Sequence, residues 1–231
     1  MSYGGYKGAT SQGHDIFKLF SGMTVTGIIV GGLVALLILW TVLRYRRRSD
    51  EMPKQFQYHF LIEVIYTVVP VIIVGFLFAF TVLTENNVDA VSSNPDVKVT
   101  VTAFQWGWSF DYPQYGIDIT GETTQAPQMV LPVGKTVQIT LVSKDVIHGF
   151  YIPAFNFSKY AQPGVTNVFD FTVQHAGTYR GQCSQFCGLY HTLMYFSVRT
   201  VPSAQFTTWV NSTQNTAAAA APSTTQEKVP A

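Results

Sequence analysis

Charged residues are scarce in this chain, and those present avoid two long stretches. Lys and Arg total 14 and Asp and Glu 13 among 231 residues, or 12%, where an ordinary soluble domain has roughly 25%. This composition excludes a disordered chain, a coiled coil and a plain soluble enzyme. The formal net charge of +1 also argues against a nucleic-acid partner, because such proteins carry a strong basic excess.

Cysteine is nearly absent, since Cys183 and Cys187 are the only two in the sequence. Two cysteines are too few for a disulfide scaffold or a four-cysteine zinc site. Neither lies in a CxxCH pattern, so no covalently attached haem is expected.

Two apolar runs near the start are long enough to cross a bilayer as helices, which takes about 20 residues. They predict transmembrane helices over about 19–43 and 60–84, after an N-terminal tail of residues 1–18. The first run is too long for a signal peptide and ends in Trp40 and arginines. The loop between them, residues 44–59, is basic, and the positive-inside rule places it in the cytoplasm. Both termini are then predicted on the outer side of the membrane.

The following residues, 85–202, show short alternating strands broken by Gly and Pro. Val97, Val99 and Val101 alternate with polar residues, and similar period-two patterns recur near residues 137–142 and 169–173. Several such strands without a helical repeat predict a β-sandwich or barrel. Residues 203–231 are rich in Ala, Ser and Thr and are predicted to be a disordered tail.

The most informative segment runs from Cys183 to Met194 and reads CSQFCGLYHTLM. A disulfide would explain both cysteines but neither His191 nor Met194. Zinc rarely recruits a thioether, whereas thiolate, imidazole and thioether together select copper. A single blue-copper ion would leave one thiolate over, but two thiolates four residues apart can bridge two copper ions.

A second histidine is needed for such a centre, and His148 is the candidate. It ends the sequence Asp145-Val-Ile-His, just after a predicted strand, where sheet geometry can bring it beside the cysteine loop. His14, His59 and His175 lie in the tail, the basic loop and a turn, and none is assigned to metal.

The cysteine loop, the upstream D-V-I-H and the two spans before a β domain together resemble subunit II of haem–copper cytochrome c oxidase. The resemblance covers about residues 16–202. It implies a membrane-anchored all-β protein in which a two-helix transmembrane hairpin precedes a cupredoxin-like Greek-key β-sandwich or barrel. It also implies a binuclear copper centre, CuA, bridged by Cys183 and Cys187. One copper would take His148 and Met194, and the other His191 and the backbone carbonyl of Gln185.

Two further segments carry the resemblance. Residues 104–110, FQWGWSF, are similar to the family's aromatic segment, whose first Trp receives the electron, which here implies Trp106. Alternation along a strand would place Trp108 on the same face. Residues 63–70, EVIYTVVP, resemble the motif whose Glu lies at the cytoplasmic mouth of a proton path, which here implies Glu63.

Three departures concern the boundary with subunit I. The family's usual Glu is Gln185 here, and a neutral amide is a poorer ligand for a boundary Mg or Mn ion. The family's P-G-R is Pro163-Gly164-Val165, and Tyr160 stands where an aspartate is expected. A boundary Mg or Mn ion is therefore doubtful, and this interface is expected to have diverged.

The resemblance implies an electron-accepting subunit of a terminal respiratory oxidase in the cell membrane. Its electrons would come from cytochrome c or another small carrier and pass to haem and copper in subunit I, which reduces oxygen to water and pumps protons. No residue of this chain would itself catalyse oxygen reduction. Two alternatives remain: the CuA-bearing subunit of a nitric oxide reductase, and a copper-free quinol oxidase subunit II, which the complete ligand set disfavours.

Overall fold

The computed structural model describes residues 6–48, 50–52 and 54–220, with side chains up to residue 216. It divides the chain into two units. The first holds residues 15–88 and the second holds residues 6–14 together with the chain from Asp89 onward.

The first unit consists of two long helices, α1 (Ser11–Arg44) and α2 (Phe60–Val88). Both are long and apolar enough to cross a membrane, and their apolar side chains are exposed in the isolated chain. Both helices extend beyond the spans predicted from hydropathy, because a helix continues past the apolar core of its sequence until it reaches a cap. Thr10 provides that cap for α1, since its Oγ1 accepts a hydrogen bond from the Gly13 N–H at 3.0 Å.

The second unit is a β-sandwich of ten strands in two mixed sheets. Strand β1 (Val97–Phe104) lies parallel to β5 (Thr136–Ser143) in one sheet, and β4 (Gln128–Pro132) lies parallel to β10 (Tyr195–Val201) in the other. The first sheet has the order β3–β2–β1–β5–β8, with β1 (Val97–Phe104), β2 (Gly107–Tyr112), β3 (Ile117–Glu122), β5 (Thr136–Ser143) and β8 (Asn167–Thr172). The second has the order β4–β10–β9–β6–β7, with β4 (Gln128–Pro132), β6 (His148–Ile152), β7 (Phe157–Ala161), β9 (Gly177–Cys183) and β10 (Tyr195–Val201).

The core lies between the two sheets and is rich in aromatic side chains. The alternation predicted for β1 is present, with Val97, Val99 and Val101 buried. Phe150 of β6 and Phe196 of β10 stack at 4.9 Å between ring centroids. Two apolar helices followed by a β-sandwich confirm the predicted fold class.

The C-terminal segment differs from the prediction. Residues 203–231 were expected to be disordered, but Ser203–Ala220 form a helix, α3, while residues 221–231 lie outside the described part. Phe206 and Val210 are buried against the sandwich and Trp209 is half-buried. Their spacing of i, i+3 and i+4 gives one apolar helical face, which the polar composition of the tail obscures.

The N-terminal segment belongs to the β domain. The Ala9 N–H donates to the Ala154 carbonyl at 2.8 Å, and the Gln174 N–H donates to the Ala9 carbonyl at 2.9 Å. Thr10 forms a β-bridge with Val173. We call residues 6–14 the N-terminal clasp, because they close over the end of the sandwich.

Candidate metal centre

Sheet pairing brings the two predicted ligand segments together. His148 begins β6 and Cys183 ends β9, and these neighbouring strands pair with Phe150 opposite Cys183. The loop after Cys183 closes on itself, because the Cys183 N–H donates to the Met194 carbonyl at 3.0 Å. Two residues 35 positions apart in sequence thus meet at one end of the sandwich.

Gly149 allows the cysteine loop to approach β6. The Ser184 N–H donates to the Gly149 carbonyl at 3.0 Å. A Cβ at position 149 would lie 2.2 Å from the Ser184 Oγ and 2.8 Å from the Gln185 backbone nitrogen. The glycine after His148 is therefore a steric requirement of the site.

The two cysteines are free and buried, and their Sγ atoms lie 3.8 Å apart. The Cys183 Sγ is 3.2 Å from the Gln185 carbonyl oxygen and 3.9 Å from the His148 Nδ1. The ligand atoms of His148, Cys183 and Cys187 all lie within 4.8 Å of one another.

The remaining two predicted ligands lie beside Cys187. Its Sγ is 3.5 Å from the His191 Nδ1 and 3.8 Å from the Met194 Sδ. His191 begins a short 3-10 helix, His191–Leu193, which turns its ring back toward the sulfur. The structure thus brings all six predicted donors into one cluster.

Burial and hydrogen bonds give the two thiols different acidities. Burial raises the pKa of Cys183, but its contact with the His148 ring and a hydrogen bond from the Gly149 backbone outweigh burial and lower the pKa. Burial and the charge of the neighbouring Cys183 raise the pKa of Cys187. A metal ion must displace the remaining proton to bind both sulfurs as thiolates.

His148 is fully buried and held in place by Asp145. The Nε2–H of His148 donates to the Asp145 Oδ1 at 2.8 Å, which leaves Nδ1 facing the sulfurs. Burial lowers the pKa of His148, but contacts with Cys183 and Asp145 raise it above the usual value. Burial raises the pKa of Asp145, but hydrogen bonds with His148 and two backbone amides lower it overall.

The aromatic hairpin between β1 and β2 touches the cysteine loop. Trp106 lies in the two-residue turn of this hairpin, and its indole N–H donates to the Cys187 carbonyl at 3.2 Å. The Gln105 side-chain amide donates to the same carbonyl at 2.7 Å. The Trp106 ring also meets the Tyr190 ring edge-to-face, with 4.9 Å between centroids.

The expectation that Trp106 and Trp108 share a strand face is wrong. Trp106 lies in the turn, whereas Trp108 belongs to β2 and is fully buried. Trp108 packs against Phe150 and Phe196 in the core and against the edge of the His148 ring, 6.3 Å between centroids. The strand alternation used for the prediction does not extend through a hairpin turn.

Glu63, the predicted proton-path residue, lies in the first turn of α2 and is half-buried. Its Oε1 accepts a hydrogen bond from the His59 N–H at 3.2 Å, so its side chain caps its own helix.

Sequence reasoning did not assign roles to Asp145, Gln105 or Tyr190. Asp145 stands in the D-V-I-H motif, and Gln105 precedes the aromatic pair, so position in a motif was the only available signal. Their contacts join segments about 40 to 80 residues apart and become visible only in the folded domain.

The donor set fits a soft metal. Two thiols, two imidazole Nδ1 atoms, a thioether and a carbonyl oxygen converge, and the sulfurs are unbonded to each other. Thiolate and thioether ligands favour copper over hard cations.

Comparison with known proteins gives matches along most of the chain. Residues 5–84 match the family model described as cytochrome c oxidase subunit II, transmembrane domain. Residues 122–201 match the model described as cytochrome c oxidase subunit II, periplasmic domain, and this range contains all six donors. Trp106 lies between the two matched ranges.

Curated relatives and a solved structure are also similar. The probable cytochrome c oxidase subunit 2 of Nocardia farcinica is 30% identical, over 91% of this chain and 74% of the relative. The probable cytochrome c oxidase subunit 2 of Streptomyces avermitilis is 34% identical, over 85% of this chain and 74% of the relative. The crystal structure of the periplasmic domain of subunit II of cytochrome oxidase (CoxB) from Bradyrhizobium japonicum is 32% identical. It covers 55% of this chain and 99% of that domain, with a TM-score of 0.49.

Proposed function

Because this chain belongs to the cytochrome c oxidase subunit II family, we propose that it accepts electrons at a binuclear copper centre and passes them to subunit I. It is a subunit of a haem–copper oxidase, an oxidoreductase complex, and a membrane protein with an outer domain. Its partners are the other subunits of that oxidase. The electron donor is a cytochrome c or another small carrier.

The observation that carries the proposal is the convergence of six donors from two loops on a buried pair of free thiols. In the proposed centre Cys183 and Cys187 would hold both copper ions. His148 and Met194 would hold one of them, and His191 and the Gln185 carbonyl would hold the other. When bound, the copper pair would supply a one-electron acceptor.

The protein keeps water away from this site and holds the donors still. His148, Met194 and both cysteines are buried. Their backbones are fixed by β6, β9 and the closing hydrogen bond of the loop. Because the donors are held in place, little reorganisation energy is needed when an electron is transferred.

Trp106 is the proposed point at which the electron enters. Its half-exposed ring touches solvent on one side, and its indole N–H reaches the carbonyl of a bridging cysteine on the other. The Tyr190 ring of the cysteine loop contacts Trp106, and the same loop exposes three further apolar side chains, Phe186, Leu189 and Leu193. A donor would therefore meet an apolar surface here, and charge steering would be modest.

The proposed topology places both termini and the copper domain outside. The N-terminal clasp supports this, because residues 6–14 are bonded to the β domain. The basic segment 44–48 begins at the last residue of α1, and the positive-inside rule assigns it to the cytoplasm.

The deciding experiment is a copper count on the full-length chain in detergent, with an electron spin resonance spectrum of the partly reduced state. We expect two copper ions per chain and one unpaired electron shared by both. His148→Ala should abolish this spectrum, whereas the matched control His175→Ala, at an exposed turn, should leave it unchanged. One copper per chain, or a Cys183–Cys187 disulfide in the copper-loaded protein, would overturn the proposal.

The final acceptor is tested on the purified complex. We expect it to consume oxygen with reduced cytochrome c as donor. Consumption of nitric oxide in place of oxygen would assign the chain to a nitric oxide reductase instead.

A further inference from the structure

Asp145 connects His148 with Gln105, which lies 40 residues before Asp145 in the sequence. It lies in the short loop between β5 and β6, and its side chain is 31% exposed. Its Oδ1 accepts from the His148 Nε2–H at 2.8 Å, and its Oδ2 accepts from the Gln105 backbone N–H at 2.7 Å. One carboxylate thus accepts hydrogen bonds from both β6 and the turn of the β1–β2 hairpin.

The loop around Asp145 is preformed. The Lys144 N–H donates to the Ala103 carbonyl at 3.0 Å, which fastens the loop to the end of β1. The Val146 N–H donates to the Asp145 Oδ1 at 2.6 Å. These two local hydrogen bonds hold the loop and the carboxylate in place independently of His148 and Gln105.

At His148 the carboxylate determines which ring nitrogen faces the sulfurs. A neutral imidazole has one N–H and one lone pair. Because Oδ1 accepts the Nε2 proton, the lone pair is on Nδ1, 3.9 Å from the Cys183 Sγ. The ring is fully buried, so water has no access to replace this bond.

At the aromatic hairpin the carboxylate fixes the turn that carries Trp106. The Gln105 backbone is held by Asp145, while its side chain and the Trp106 indole both donate to the Cys187 carbonyl. The turn is thus held from both sides, by the carboxylate and by the carbonyl of a bridging cysteine.

We propose that Asp145 is a positioning residue that sets the His148 tautomer and the placement of Trp106 over Cys187 at the same time. The inference rests on the proposed function, because only in a copper-binding, electron-accepting subunit does one carboxylate align both a metal ligand and the point of electron entry. The competing interpretation is a surface acid that only attracts a basic donor.

The first test needs no variant and no metal. The full-length, copper-free, reduced chain is labelled with 15N-histidine in detergent and measured by NMR at about pH 9, above the ordinary histidine pKa. We expect His148 in the Nε2–H form. An Nδ1–H form overturns the inference even if the chain binds two coppers. Conversely, an Nε2–H form in a chain that fails to bind two coppers refutes the proposed function alone.

The second test separates position from charge. Asp145→Asn removes the charge and leaves one acceptor oxygen for three donors, whereas Asp145→Glu keeps the charge and moves the oxygens. Glu122→Gln is the matched control, because Glu122 is an exposed acid on β3 opposite Gly107 of the same hairpin.

We expect both Asp145 variants to lower copper affinity about 10- to 100-fold, as loss of a bond to a ligating histidine does. Both should also shift the His148 ring signals and speed amide exchange at Gln105, and Glu122→Gln should do neither. If Asp145→Glu behaves as wild type, or if Asp145→Asn changes only the salt dependence of donor reduction, Asp145 is a surface charge and the inference fails.

Discussion

Trp106 and Trp108 stand two residues apart but differ in every contact. The Trp106 ring is half-exposed and bonded to the cysteine loop, whereas the Trp108 ring is fully buried between the sheets. The first is therefore suited to coupling with an external donor, and the second to holding the core around His148.

Trp106→Phe is expected to slow reduction of the copper centre by the external donor by about tenfold or more, a change equivalent to about 1.4 kcal/mol in barrier. The phenyl ring keeps much of the packing but loses the N–H that reaches Cys187. The measurement is stopped-flow reduction of the whole complex, with the copper spectrum and the later electron transfer to haem unchanged.

Trp108→Phe provides the contrast. It should lower the stability of the domain, because a fully buried ring is truncated, while the donor reacts at a near-normal rate in the folded fraction. Equal slowing by both variants would indicate a diffuse aromatic docking surface rather than a single point of electron transfer.

Gln185→Ala is expected to leave both coppers bound. Only its carbonyl oxygen faces Cys183, at 3.2 Å, and alanine keeps that carbonyl. Metal content and the visible spectrum should match wild type. Loss of copper would mean that the amide side chain, and not the backbone, is the ligand.

The six proposed copper donors could be selected from sequence because they fall into two short motifs with fixed spacing, and the structure brings them together. Asp145 and Gln105 could not be given roles, because their contacts depend on strand pairing across the domain. Trp108 was misplaced for a related reason, since a turn of two residues breaks strand alternation and no residue in FQWGWSF marks where that turn begins.

At the scale of elements, α3 shows how composition can mislead. Its sequence is rich in small and polar residues, yet Phe206, Trp209 and Val210 form an apolar face on the sandwich. The Trp209 ring meets the Tyr112 ring at 5.3 Å between centroids. The burial of these three apolar side chains stabilises a helix in a segment whose overall composition favours disorder.

Phe206→Ala is expected to destabilise the β domain by about 3 kcal/mol, the lower end for removing a buried phenyl ring. Chemical unfolding of the full-length chain, followed by tryptophan fluorescence, measures this. Gln205→Ala, at the exposed neighbouring position, is the control and should unfold as wild type. Equal stability of the two variants would show that α3 adds nothing to the fold.

The first turn of α2 allows a test of Glu63. Glutamine can still accept the His59 N–H, so Glu63→Gln keeps the helix cap while removing the ionisable group. If Glu63 lies at the mouth of a proton path, oxygen consumption by the complex should fall several-fold with copper reduction by the donor unchanged. Glu51→Gln, in the exposed loop before α2, is the control. Unchanged turnover in both would leave Glu63 as a cap alone.

For the whole molecule, the β domain is discontinuous in sequence. The N-terminal clasp comprises the residues just before α1 and the first turn of that helix, yet it bonds to residues 154, 173 and 174. Asn156 adds two bonds, from its Nδ2 to the carbonyls of Tyr6 at 2.6 Å and Gly13 at 3.1 Å. Hydropathy located the spans but gave no sign of this return contact, because a segment of nine residues has no pattern of its own.

Gly13→Ala is expected to release the clasp. A Cβ at position 13 would lie 2.0 Å from the Phe155 carbonyl oxygen, which belongs to the backbone and cannot rotate away as a side chain could. Limited proteolysis of an N-terminal tag should become about tenfold faster or more, since cleavage follows the population of the open form. Gly27→Ala, where nothing lies within 4 Å, should be cleaved like wild type. Equal rates in the two variants would mean that the clasp is not bound in solution.

The clasp also sets an order of events during biosynthesis. Its residues leave the ribosome before the β domain does, but the surface that receives them is completed some 160 residues later, a delay of roughly 10 to 30 s at ordinary translation rates. A chain whose N-terminus stays in the cytoplasm can never make these bonds, so it must expose the end of its sandwich to quality-control proteases. We expect pulse-chase labelling to show the N-terminus becoming protease-resistant only after the full chain is made, so that docking acts as a late checkpoint on correct membrane insertion.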